Sequence, residues 1–264
     1  MKKIFFILLG IIGFLSSVYA DSKNNPVITG MYQATGYSAA HQSRYAALIA
    51  AKVDAQRQLL EQIKGTKIDS ETTVKNGMLQ SDRVVSKVNG IVKNAKTIHE
   101  SYDPSTGTAT VTLAIGFNKV ASEILSDKDL INKLKSDNIS KSIEKIQKPK
   151  VIYDGLIIDV KKVNMEPAMI NRVFSNKKIV YDPTKVPQAV IVERGLAAYT
   201  TDINRAKAIL ETYGSKKPYI AKAISLGEKS SDVNIAKEDA KKILTSDKEN
   251  GFLSAAKVVF VLDN

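Results

Sequence analysis

Cysteine and tryptophan are absent from the 264 residues, and histidine occurs only twice. Without a thiol there is no disulfide, no thiolate metal site and no cysteine nucleophile, so packing and backbone pairing must supply the stability. The lack of tryptophan removes the stacked indoles expected of a carbohydrate platform. His41 and His99 occur without an HExxH pattern, so no zinc-ligand set is expected; His99 reads as a strand end and His41 as a helix start. No GxxxxGK[ST] loop, GxGxxG fingerprint or GxSxG elbow occurs, which withdraws the usual support for ATP, GTP, dinucleotides and serine hydrolysis. No catalytic residue, metal or cofactor is therefore expected.

What is present begins with Lys2 and Lys3, ahead of the apolar run Ile4–Leu15 and the small-residue pattern Val18-Tyr19-Ala20. This predicts a secretory signal peptide over residues 1–20, cleaved between Ala20 and Asp21. No later stretch of about eighteen apolar residues follows, so no transmembrane segment is expected. A lipoprotein signal would end in a cysteine, which the chain lacks. The expectation is an exported, non-lipidated protein of the periplasm or cell surface that meets the membrane only through partners. The formal charge of +12 is spread along the chain without a dense basic stripe. Arginine is scarce and no aromatics interleave with lysines, which argues against nucleic-acid recognition.

Residues 21–118 read as a β-α-β-(α)-β-β domain. Ile28–Ser38 is the first predicted strand, with Gly30 and Gly36 marking bends or close backbone approach. A long helix follows over Ala39–Lys64, where Tyr45, Ile49, Val53, Leu60 and Ile63 recur at helical spacing. Its small residues Ala46, Ala47, Ala50 and Ala51 permit close seating on a sheet, and Gly65 provides a stop. Lys67–Asn76 reads as a strand, Ser81–Lys87 as a short helix, and Asp103–Gly107 as a turn. In the strand Thr108–Phe117, Ala109, Val111, Leu113 and Ile115 share one face while Thr108, Thr110 and Thr112 share the other.

Residues 119–150 read as a charged helical connector, and residues 151–264 as a second domain. Its predicted strands are Val151–Val160, Lys178–Tyr181, Gln188–Glu193, Tyr219–Ser225 and Lys257–Leu262, with helices at Ile203–Tyr213 and Ile235–Leu244. The expected fold class is α+β, with two domains that are each a small, mostly antiparallel sheet covered by helices.

The remaining chemistry is sparse. Three Ser-x-x-Lys spacings, Ser142–Lys145, Ser175–Lys178 and Ser254–Lys257, come without companion motifs and are expected by chance in a lysine-rich chain. Asp154 and Asp159 are the nearest candidates for paired carboxylates, but odd spacing along a strand sends them to opposite faces. Asp154 reads as part of a bend and Asp159 as a strand-end cap.

The run Ala46-Ala47, Ala51-Lys52, Asp54-Ala55-Gln56-Arg57, Leu59-Leu60, Ile63-Lys64-Gly65, Ile68-Asp69-Ser70 and Thr72-Thr73-Val74 resembles the small outer-membrane lipoprotein family that includes the flagellar basal-disk lipoproteins. It is similar as well to the N-terminal domain of the flagellar H-ring protein, over about residues 27–117. Tyr153–Val160, Glu166-Pro167-Ala168-Met169, Lys178–Tyr181, Glu238-Asp239-Ala240, Phe252-Leu253 and Val258–Asp263 resemble an uncharacterised module of secreted bacterial proteins. These resemblances imply a non-enzymatic envelope protein that works by protein association, with itself and with envelope or flagellar proteins, in or near the flagellar basal body. The alternative is an envelope polymer-binding or hydrolytic protein with a site between the two domains.

Overall fold

The computed structural model describes residues 25–134 and 151–263. The signal peptide with Ala20 and Asp21, the Ser142–Lys145 spacing and residues 135–150 of the connector lie outside the described residues. A short helix α1 (Pro26–Thr29), capped by Asn25, ends on Gly30 in the left-handed region at φ 75°. The first predicted strand is therefore shortened to β1 (Met31–Tyr37). It pairs antiparallel with β3 (Thr108–Gly116), which pairs on its other side with β2 (Lys96–Asp103). The expected face of β3 holds: Ala109, Val111, Leu113 and Ile115 are all buried.

The long helix α2 (Arg44–Gly65) crosses this sheet, capped by Ser43. Of the large residues at helical spacing it buries Ile63 but not Tyr45, Ile49 or Val53. Ala47, Ala51, Ala55, Leu59 and Ile63 are sealed against the sheet, while Tyr45, Ile49 and Val53 face solvent, Tyr45 with 78% of its surface exposed. The reason is Gly36. An added Cβ there would lie 2.2 Å from both the Ala51 carbonyl oxygen and the Ala55 nitrogen, so helix backbone and strand backbone nearly touch. Only alanines fit such a seam.

The expected strand Lys67–Asn76 is replaced by a loop and a helix. Asp69 accepts hydrogen bonds from the amides of Glu71 and Thr72, closing a turn with a single bridge between Lys67 and Thr73. Thr73 and Asn76 then cap helix α3 (Val74–Gln80) reciprocally. Helix α4 (Asp82–Lys93) outruns the predicted short helix, and α5 (Phe117–Leu125) and α6 (Lys128–Lys133) form the described part of the connector.

The second half carries β4 (Gly155–Asp159), β5 (Val173–Ser175), β6 (Lys178–Tyr181), α7 (Gln188–Arg194), β7 (Ala198–Thr200), α8 (Ile203–Thr212), β8 (Pro218–Leu226), β9 (Val233–Ile235), α9 (Lys237–Asn250) and β10 (Val258–Val261). These strands make one seven-stranded sheet, ordered β6-β5-β9-β8-β4-β10-β7. Contrary to the mostly antiparallel expectation, β8, β4, β10 and β7 run parallel. Their sequences explain it, because Leu156-Ile157-Ile158 and Val258-Val259-Phe260-Val261 are buried on both faces, as central parallel strands are. Ile157, Val259 and Val261 pack under Ala206 and Leu210 of α8. The alternate residues Leu156, Ile158, Val258 and Phe260 face the main core.

That core is continuous with the first half, running from Val27 and Tyr32 through Leu113 to Phe260. The predicted strand Gln188–Glu193 is instead α7, started by Pro187 and packed on α5 of the first half. Helix-on-helix burial across the junction outweighs its β-branched composition. The loop after α2 also crosses over: Met169 donates its amide to the Lys67 carbonyl (3.0 Å) and Ile170 donates to Ile68 (2.8 Å). The molecule is α+β, with one sheet in each half and a shared interior. No helix among the described residues is long and apolar enough to cross a membrane.

Candidate functional site

Where the halves meet, a groove of about 1470 Å³ opens between the free edge of β1, the end of α2 and residues 160–167. Gln33, Thr35 and Gln62 line one wall, Lys161, Lys162, Val163 and Asn164 the other. On its floor Lys67 forms an ion pair with Glu166, whose other oxygen accepts from Ser230.

The β1 edge is not bare. The register with β3 turns the peptide groups of Gln33, Thr35 and Tyr37 outward. Gln62 donates to the Gln33 carbonyl (2.9 Å), Gln58 donates to the Thr35 carbonyl (3.0 Å), and the Tyr37 amide donates to Asp54 (3.2 Å). Positions 54, 58 and 62 form one i, i+4 row of α2, so the helix caps the edge beside it. The opposite edge of this sheet, β2, differs. Glu100 and Tyr102 turn their peptide groups outward there and meet no backbone partner among the described residues.

Behind the groove lies a buried polar cluster that fastens the halves. Asp69 is fully buried and accepts from Lys229 at 2.6 Å, while Ser231 accepts from the Ser70 amide. Asn171 accepts from Ala168 and Tyr199 and donates to the carbonyls of Glu166 and Ser231. Arg172, 1% exposed, donates through Nη2 to the Leu134 carbonyl at 2.9 Å and sets Nε 3.4 Å from Asp182. Asp232 accepts from the Arg172 amide at 2.9 Å. Burial pushes the Asp232 carboxyl up to about 6, against the amide and charge of Arg172 and the charge of Lys229, with Asp69 adding to the rise.

This has a sign that can be measured. Folded Asp232 holds its proton to about pH 6, whereas the unfolded group releases it near 3.8. Between those values the folded state binds more protons, so this contribution is present at low pH and is lost as pH rises through 6. The shift corresponds to about 3 kcal/mol. Asp232→Asn, which keeps the acceptor and removes the charge, is expected to raise the urea midpoint at pH 7.5 and to flatten its change between pH 4 and 6. Asp247 is raised in the same direction by its burial, so the difference between variant and parent is the informative quantity. A variant less stable than the parent at pH 7.5 would contradict the assignment.

The paired-carboxylate candidates are kept apart. Burial pulls Asp154 upward, but hydrogen bonds from the Lys216 amide, Ser215 and the Lys217 amide outweigh it and leave it below the usual carboxylate range. It staples the loop before β8, whereas Asp159 accepts from the Lys161 amide at the end of β4. Ser175 and Lys178 face each other across the β5–β6 hairpin, with Ser175 buried and Lys178 exposed. Ser254 donates to the Gly251 carbonyl. His41 is an exposed loop residue at φ 60° rather than a helix start, and His99 is exposed within β2. Among the described residues no group of three His, Cys, Asp or Glu side chains is arranged to hold a metal.

A family model described as the second domain of Treponema pallidum Tp0624 matches residues 155–264. The second half, from β4 through β10, is thus similar to that domain, as the expected module in this half requires. No curated protein matches the chain. The family match does not extend to residues 27–117.

Proposed function

We propose that this chain is an exported, non-enzymatic protein of the periplasm or cell surface that works by association with envelope proteins and with itself. The observation that carries the reading is the open edge of β2, an eight-residue strand exposed along nearly its whole length. Edge strands of this kind pair with other chains unless they are blunted, and β1 of the same sheet is blunted. The exposed side chains Tyr45, Ile49 and Val53 on α2 add apolar surface to the same half. A flagellar setting rests on the resemblance of residues 27–117 alone. The second reading, a site for an envelope polymer between the halves, draws on the junction groove.

The test uses proline on the outer edge. Glu100 does not bond to β3 through its amide, so Glu100→Pro removes an outward donor while leaving the β2–β3 ladder intact. Light scattering of the mature protein over a concentration series is expected to show association that Glu100→Pro weakens by about tenfold with little change in melting. A parent protein that stays monomeric and crosslinks to no envelope component would sink the reading.

A further inference from the structure

We propose that the junction groove holds an extended, acid-rich segment of a partner protein, added as a fourth strand along the outer edge of β1 in exchange for the glutamine side chains that cap it. The inference rests on the association reading and names the chemistry of one partner. Strand addition needs a row of outward peptide groups spaced along an edge. The outward carbonyls of Gln33 and Thr35 are held by the side-chain amides of Gln62 and Gln58, which stand in for the N–H groups of a neighbouring strand. The outward amides of Gln33 and Thr35 have no partner among the described residues. Glutamine side chains are exchangeable caps, because rotating them away frees the same carbonyls for a peptide at the cost of one side-chain hydrogen bond each, about 1 kcal/mol.

The groove supplies what a bare edge lacks, namely a facing wall. Its volume of about 1470 Å³ exceeds the roughly 300–1,000 Å³ of small-molecule sites and suits a chain segment. Lys161 and Lys162 stand on that wall and Lys67 on the floor, against Glu166 and Asp263. The Lys67–Glu166 pair cancels, which leaves Lys161 and Lys162 against Asp263, a surplus of one positive charge that favours acidic side chains on one face of an incoming strand. The alternate side chains would meet Met31, which is 50% exposed, and Val163 and Met165.

The test uses the mature chain and fluorescein-labelled decapeptides alternating Glu with Val or Thr, the same peptides with Lys for Glu, and polygalacturonate as an anion without peptide groups. The Glu peptides are expected to bind, with the Lys series weaker by about tenfold or more, and Lys161→Glu with Lys162→Glu is expected to invert that order. Bound peptide should slow amide exchange at Gln33 and Thr35 by about tenfold. Gln33→Pro, which removes an outward donor from an edge strand, should abolish binding with the melting transition retained. No binding by about 1 mM peptide, binding that leaves exchange at Gln33 and Thr35 unchanged, or equal binding of polygalacturonate overturns the proposal. Association that is sensitive to Glu100→Pro is a separate readout, so the groove proposal can fall while the association reading stands.

Discussion

Gly36→Ala is expected to destabilise the chain by more than about 4 kcal/mol, most of the margin of a domain at the lower end of ordinary stability. The added methyl would lie 2.2 Å from the Ala51 oxygen and the Ala55 nitrogen, and 2.9 Å from the Ala55 Cα. These are backbone atoms of α2, so no side-chain rotation relieves the overlap. The helix would have to lift from β1, opening the seam that buries Ala47, Ala51, Ala55 and Leu59. It would also draw Gln58 and Gln62 off the β1 carbonyls. Gly90→Ala is the matched control. Gly90 lies in α4 with nothing within 4 Å of an added methyl, so the same substitution is expected to stabilise by about 0.5–1 kcal/mol. Urea unfolding of the two variants checks both, and a Gly36→Ala protein as stable as its parent would contradict the packing described for α2.

The existence of α2 is legible in the sequence, and so is part of its seating, since Gly36 is a close backbone approach and Ala47 and Ala51 lie against the sheet as expected; the exposure of Tyr45, Ile49 and Val53 is not. Two stripes at helical spacing run along it, Tyr45-Ile49-Val53 and Ala47-Ala51-Ala55, and hydrophobicity alone favours the first. The choice is made seventy-seven positions' worth of register away from any local pattern, where β1 is held against β3 through pairs such as Thr35 with Thr112 and Gly36 is brought under the helix. Glycine at 36 and alanine at every fourth position would have been the signal, read together rather than separately. The strand β3 was legible because alternation is a local property of a half-buried strand. Parallel pairing of β4 with β10 was not, since Leu156 meets Val258 across most of the second half.

The candidate site was hidden for the same reason. Asp69 meets Lys229 and Arg172 meets Leu134 across long separations, and none of these residues stands in a motif. A chain with few histidines and no cysteine directs attention to catalytic spacings such as Ser175–Lys178 or Asp154–Asp159, which are a hairpin pair and, as the sequence predicts, a bend residue and the end of a strand. What marks the junction is burial of charge, and burial is a tertiary quantity. The Thr73–Asn76 reciprocal cap and the Asp69 turn, by contrast, were readable locally and would have replaced the expected strand at Lys67–Asn76 with a turn and a helix start.

Arg172→Met is the second change with a large expected effect, about 3–5 kcal/mol, because it leaves a buried charge without its partner. The side chain is 1% exposed and its guanidinium reaches both halves, the Leu134 carbonyl at the end of α6 and the Asp182 carboxylate before the short 3₁₀ turn Pro183–Lys185. Methionine fills much of the volume but strands Asp182, whose side chain is only 10% exposed. Lysine would not restore the parent, since one ammonium does not reproduce a planar guanidinium that bonds the Leu134 carbonyl through Nη2 while its Nε stands 3.4 Å from Asp182. Asp182→Asn keeps the acceptor for the Thr184 amide while removing the charge, so the double variant Arg172→Met, Asp182→Asn should recover about 1–3 kcal/mol of the single loss. A structural filler role predicts no such recovery. Amide exchange over Lys128–Leu134 should rise in Arg172→Met and fall only part of the way back in the double variant, because the Leu134 carbonyl stays unpaired in both. Additive losses in the cycle would show that the guanidinium does not couple Asp182 to the end of α6, and the halves would then be joined without it, by their shared apolar core, the Asp69–Lys229 and Lys67–Glu166 ion pairs and the backbone bonds of Met169 and Ile170 to residues 67 and 68.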